Sequence, residues 1–273
     1  MKEPVKILFI TQEIKPYLPE SEIADVCREF PQYVQEHGCE IRIFMPCYGH
    51  INERRNQLHE VQRLSGMNII IDDTDHPLII KVASIQQARM QVYFIDNDDY
   101  FKRKGVAADP DGVEFDDNDE RAVFFARGVL ETIKKLRWTP DIICCHGWMA
   151  SLAPLYIKKT YCDDPFFSHS KVVYVLYSDG FANKMRQGVD KRVLTDGIAP
   201  EDVKALKGRS AGCNELKKTA IDFSDAVIVA SPEISADLTR YIKKKGIPSL
   251  ACCEPQAYMD EHYKFLTSID LGK

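Results

Sequence analysis

The segment Val5 to Thr11, VKILFIT, is a run of strand-forming, mainly apolar residues that does not alternate. Strands alternate when one sheet face meets water and lose the alternation when helices cover both faces, so this segment predicts a central strand of a parallel sheet. The next two elements agree with that expectation. Ser21 to Gln35 carries Ile23, Val26, Cys27, Phe30 and Val34 at helical spacing, Gly38 ends the helix, and Glu40 to Met45 is a second strand. Strand, helix and strand in this order make a βαβ unit, which is right-handed and buries a parallel sheet.

Gly66 to Ile71, Leu78 to Ser84 and Gln91 to Asp96 read as strands too close together for intervening helices, which predicts an antiparallel hairpin added to the sheet. An acidic loop, Asp109 to Glu120, leads into a helix from Glu120 to Leu136 with Val123, Phe124, Val129, Leu130 and Ile133 on its apolar side. Strand Ile142 to Cys145, helix Met149 to Lys159 and strand Lys171 to Leu176 restore the alternation. After the irregular stretch Asp179 to Ala211 come helix Asn214 to Asp222 and strand Ala226 to Ala230. Ser231-Pro232-Glu233 is expected to cap the next helix, and Asp260 to Ile269 to close the chain. The expectation is an α/β fold: a doubly wound, Rossmann-like parallel sheet with a β-hairpin addition. With no repeat, low-complexity tract or long linker, residues 1–273 are expected to form one domain.

A net charge of −5 gives no general attraction for nucleic acid or anionic lipid, and Lys102-Arg103-Lys104 and Lys243-Lys244-Lys245 read as solvated surface. No apolar run approaches the roughly 20 residues of a membrane span. Nine cysteines, with adjacent pairs at 144–145 and 252–253, and no leader before the first strand point to a reducing cytoplasm. Cys144-Cys145-His146 lacks a spaced second ligand pair, so neither a metal nor a cofactor is expected.

The first strand runs into TQEIKPYLPESEIADV, which has no glycine to bring the backbone near a pyrophosphate. Here the sequence resembles the glycogen and starch synthases, retaining glycosyltransferases built of two doubly wound domains around a cleft. Gln12, Glu13, Pro16, Tyr17, Ala24, Asp25 and Val26 are in register with their SExxPFxKTGGLADV segment. VYFIDNDDYF at 92–101 and DDNDERAVFFARGVLE at 116–131 are similar to two further family blocks. WTPDIICCHGWMASLAP at 138–154 and ELKKTAIDFSDAVIVASPEISADL at 215–238 are similar to two more. The resemblance implies one half of a two-domain glycosyltransferase fold, since too few residues follow the last block to form a second doubly wound domain.

The family's site positions are largely changed. Its lysine falls on Pro19 and its two glycines on Ser21 and Glu22, where a carboxylate would oppose phosphate by several kcal/mol in a low-dielectric cleft. His146 and Trp148 of the HDWH motif remain, but its acid becomes Gly147 and its second histidine Met149; the histidine of TIHN becomes Tyr177. No catalytic residue is assigned. The candidate substrate cleft is Glu13, Tyr17, Glu22, Asp25, His146, Trp148 and Tyr177. Blander roles stand beside these: His146 as a satisfied strand-end histidine, Trp148 as core and Asp25 as a helix cap. Tyr17, Trp148 and Tyr177 have the alternative of stacking on a pyranose.

The resemblance implies an inactive glucan-binding or regulatory relative whose partner is an α-glucan or oligosaccharide. A second reading is half of a split glycosyltransferase completed by a separate C-terminal domain. A third is a hydrolase using Asp179, Asp190 and the acidic run Asp116 to Glu120.

Overall fold

The computed structural model describes residues 3–271. Its elements run β1 (Lys6–Thr11), α1 (Glu22–Glu36), β2 (Glu40–Pro46), β3 (His59–Glu60), β4 (Met67–Ile71), β5 (Thr74–Ile85) and β6 (Met90–Asp96). Then come α2 (Asp98–Phe101), α3 (Asn118–Leu136), β7 (Ile142–His146), α4 (Ala153–Lys158), β8 (Lys171–Leu176) and α5 (Val189–Arg192). Last are α6 (Cys213–Asp222), β9 (Ala226–Val229), α7 (Ala236–Lys245), β10 (Ser249–Leu250) and α8 (Tyr258–Ser268).

The strands form one sheet in the order β10-β9-β8-β7-β1-β2-β6-β5-β3, with β4 on β5. Neighbours from β10 to β6 pair in parallel, while β5, β3 and β4 are the antiparallel addition. β1 is central as its sequence predicts, with Ile7 to Ile10 at most 1% exposed. The β4–β5 hairpin turns on Asp72 and Asp73, both at positive φ, a conformation short carboxylate side chains tolerate. α3 packs against the β5–β6 region through Gly128, where a Cβ would meet Ile95 and Leu78 side-chain carbons at 3.1 Å. α1 contacts β1 and β2, and α8 packs on α1.

Two local expectations are corrected. The helix expected from Met149 to Lys159 is a 3-10 turn, Trp148–Ala150, followed by α4, because Pro154 is confined to the first helical turn. Ser231-Pro232-Glu233 does not cap α7; Ser235 does, accepting from the Leu238 N–H at 3.3 Å. The Ser231 hydroxyl is committed elsewhere: it accepts from the Ser178 N–H at 2.8 Å and donates to Glu22. The irregular stretch after β8 is anchored by Arg192, whose guanidinium lies 2.6 Å from the buried carboxylate of Asp119. Among the described residues, no helix is long and apolar enough to cross a membrane.

Candidate functional site

From β1 the sheet grows one way through β2 and β6 and the other way through β7, β8 and β9. In such sheets ligands bind beyond the carboxyl ends of the strands at this reversal. Thr11 at the end of β1 pairs with His146 at the end of β7, and His146 with Val175 of β8. Gln12, Glu13, Gly147 and Tyr177 come directly after those strand ends.

Gly147 is closely enclosed at this edge. Its φ is +78, and a Cβ there would lie 2.5 Å from Gln12 Oε1 and 2.9 Å from Asp179 Oδ2. Those two groups are held by the next two backbone amides. The Trp148 N–H donates to Asp179 Oδ2 at 2.9 Å and the Met149 N–H to Gln12 Oε1 at 3.2 Å. Lys217, buried on α6, pairs with Asp179 Oδ1 at 2.8 Å and donates to the Tyr177 carbonyl at 2.9 Å. Asp179 is therefore neutralised within the fold. Asp117 pairs with Arg103, and Asp119 and Glu120 pair with Arg192 and Arg186. This removes most of the carboxylates on which the hydrolase reading rests.

His146 and Tyr177 meet as a sealed pair. The Tyr177 hydroxyl lies 3.0 Å from His146 Nδ1, both residues are 1% exposed, and His146 Nε2 is buried without a partner among the described residues. Burial, with His262 adding repulsion, pulls the His146 pKa down to about 3, and burial pushes that of Tyr177 well up. At neutral pH this is a neutral imidazole against a neutral phenol.

Around the start of α1 the acidic candidates separate. Glu13 accepts from Ser21 Oγ at 2.6 Å, and Ser21 caps α1 by accepting from the Ala24 N–H at 3.0 Å. Glu22 accepts from Ser231, which ties α1 to the ends of β8 and β9. Asp25 is ion-paired with Lys15 and caps nothing. Tyr17 packs edge-on against Phe94 of β6 at 4.9 Å, on the other side of β1 from Tyr177; burial raises its pKa to about 12. Trp148 packs edge-on against Phe181 at 5.0 Å. Tyr17, Trp148 and Tyr177 are 6, 1 and 1% exposed, so none has a free ring face, and the stacking expectation is corrected.

A cavity of about 820 Å³ opens beside this edge, with Glu22, Asp25, Glu29, Glu254, Tyr258 and His262 in its wall. Of the seven candidate residues it takes in Glu22 and Asp25. The structure therefore brings together His146 with Tyr177, Glu22 with the ends of β8 and β9, and Glu22 with Asp25. It leaves Tyr17 apart. Sequence reasoning missed Gln12, Lys217 and Ser231 as organisers of this edge. Lys217 left a signal, since it shares the buried face of α6 with Cys213, Leu216 and Ala220.

Among the described residues, one group of potential metal ligands converges, Cys47, Glu53 and Asp96. The Lys81 ammonium sits 2.7 Å from both carboxylates, so the group closes on a lysine.

Residues 6–250 match the family model described as starch synthase catalytic domain. A glycogen synthase of Chlorobium luteolum is 38% identical over 227 residues, covering 83% of this chain and 45% of that protein. A glycogen synthase of Chlorobaculum tepidum is 36% identical over 253 residues, covering 88% and 51%. The chain thus spans about half the length of the curated relatives it matches. The catalytic domain of starch synthase IV from Arabidopsis thaliana, solved bound to ADP and acarbose, superposes with a TM-score of 0.71. It does so at 16% identity, over 92% of this chain and 52% of that one, a likeness of fold alone.

Proposed function

Because this chain belongs to the starch synthase catalytic domain family, we propose that it is a glucan-binding or regulatory member that transfers no glucose by itself. The observation that carries this is the sealed His146–Tyr177 pair: two side chains at the family's site positions are hydrogen-bonded to each other and buried. A group that assists transfer must reach the reacting atoms, and these two face the protein. Glu22 supports the same reading, because it places a carboxylate where the family motif has a glycine near phosphate. Residues 1–273 are taken as one unit acting in the cytoplasm, with an α-glucan or oligosaccharide as ligand.

The test has two parts. Radiolabelled ADP-glucose or UDP-glucose is incubated with glycogen and the chain, and label in polymer above the no-protein control overturns the inactive reading. Co-sedimentation with glycogen is expected, and its absence at saturating polymer overturns the glucan-binding reading.

One observation favours a second reading, half of a split glycosyltransferase. Its strand-end edge carries an open cavity. A separately supplied C-terminal domain that restores label transfer establishes it.

A further inference from the structure

We propose that the cavity between α1 and the segment after β10 is a binding site for a linear aliphatic polyamine. The proposal does not rest on the glucan reading.

The cavity holds about 820 Å³, the size of a small-molecule site. Glu22, Asp25 and Glu29 succeed one another at spacings of three and four residues, so they share one face of α1. At roughly 1.5 Å rise per residue they form a row about 10 Å long. Glu254 adds a fourth carboxylate from the other wall, and none of the lining residues described is a lysine or arginine. Lys15, paired with Asp25, is the counter-charge in contact with the row. The field registers on the cavity's own groups. After burial itself, Glu22 and Glu254 raise the Cys252 thiol, and Glu29 and Asp25 raise the Tyr258 phenol.

A second, independent feature asks for the same chemistry. His262 lines the cavity, is 2% exposed and, among the described residues, makes no hydrogen bond, its Nδ1 being buried without a partner there. Burial holds its pKa down at about 4, so at neutral pH it is an uncharged imidazole whose lone pair lacks a donor. Carboxylates and an unpaired imidazole both call for N–H donors.

A metal ion fits less well. Among the described residues, no three histidine, cysteine or carboxylate ligand atoms in this cavity lie within 4.8 Å of one another. Ammonium groups set a few methylenes apart on a flexible chain can meet a row of carboxylates one at a time.

The test is calorimetric titration of the full chain with spermine at low ionic strength. One saturable site is expected, weakened at least about tenfold in Glu22→Gln/Glu254→Gln and unchanged in Glu60→Gln, an exposed carboxylate outside the cavity. His262→Phe, which keeps a ring against Phe30, is expected to weaken it several-fold. Near-ultraviolet circular dichroism checks that each variant keeps its packing. The proposal is overturned if no saturable binding appears, or if Glu60→Gln weakens binding as much as the cavity variants. Trilysine binding more tightly than spermine also overturns it, as that marks the surface as a docking site for basic peptide.

Discussion

The carboxylate of Asp179 stands where a side chain at Gly147 would begin, its Oδ2 2.9 Å from the Cβ position, with Gln12 Oε1 at 2.5 Å. The glycine and the acid are one arrangement. Position 147 has φ +78 and ψ −179, a backbone conformation essentially confined to glycine that costs an L-residue roughly 1–3 kcal/mol, and the space beyond it is filled by the Asp179 carboxylate and the Gln12 amide. Gly147→Asp, which restores the acid of the family motif, should therefore lower stability by more than about 2 kcal/mol in urea denaturation. Asp179→Ala in the same chain should not recover that loss, because the backbone strain persists and the Lys217 ammonium is left buried without its carboxylate. An unchanged midpoint in Gly147→Asp would show that this edge is not closed.

Lys217 is the counterpart of that acid, with 4% of its side chain exposed and Asp179 at 12%. Its ammonium satisfies the carboxylate and two carbonyls, those of Tyr177 and Asp179. Lys217→Met would strand all three in the interior, and removing one partner of a buried pair costs about 3–5 kcal/mol. Lys264→Met, at a pair whose side chains are 69% and 44% exposed, should cost less than about 0.5 kcal/mol. Equal effects of the two substitutions on thermal midpoints would contradict the structural role given to Lys217.

The contrast between these lysines shows what sequence reasoning can reach. β1, α1, β2, β7 and β8 were legible because each buries a continuous or helically spaced apolar set, a signal local to a few residues. β3 and β10, two residues each, carry no such pattern and exist only through their partners β5 and β9. The Ser231 cap failed for the same reason. Its local context suits a helix start, but Glu22, 209 residues away, takes the hydroxyl. Within the site, the residue types at 13, 22, 146 and 177 could be set against a motif, whereas their burial could not. That Tyr177 faces His146 is a property of adjacent parallel strands, which no short window contains.

Two buried imidazoles make stability fall in acid. The His146 and His262 pKa values are held down from 6.5 to about 3 and about 4 by burial. Below pH 6.5 the unfolded chain binds a proton at each ring that the folded chain refuses. The stability is therefore fully present above about 6.5 and is lost as pH falls through the window toward those lowered values. At pH 5 the loss at His262 is on the order of 2 kcal/mol. His262→Phe should flatten the dependence of urea-unfolding free energy between pH 6.5 and 5 by about that amount. A variant whose slope matches the parent would show that His262 is protonated, or exposed, in the folded chain.

The first-strand loop makes the sharpest prediction about ligands. Glu13 and Glu22 put two carboxylates beside the N-terminus of α1, and Pro19 supplies no ammonium to offset them. Attraction of an anion to an exposed helix N-terminus is only about 0.3–1 kcal/mol, which one adjacent carboxylate can cancel. ADP-glucose should then bind no tighter than about millimolar. Pro19→Lys/Ser21→Gly/Glu22→Gly removes one of those charges and adds a cation. Its structural cost is small at the cap, where glycine in place of serine loses a few tenths of a kcal/mol. It also frees Glu13 from Ser21 and Ser231 from Glu22, so the loop gains room as well as charge. Affinity for ADP-glucose should rise at least about tenfold by calorimetry, while label transfer to glycogen stays at the no-protein level, because His146 and Tyr177 remain sealed. Micromolar binding to the unmodified chain, or no gain in the triple variant, would mean that this loop does not face the nucleotide sugar.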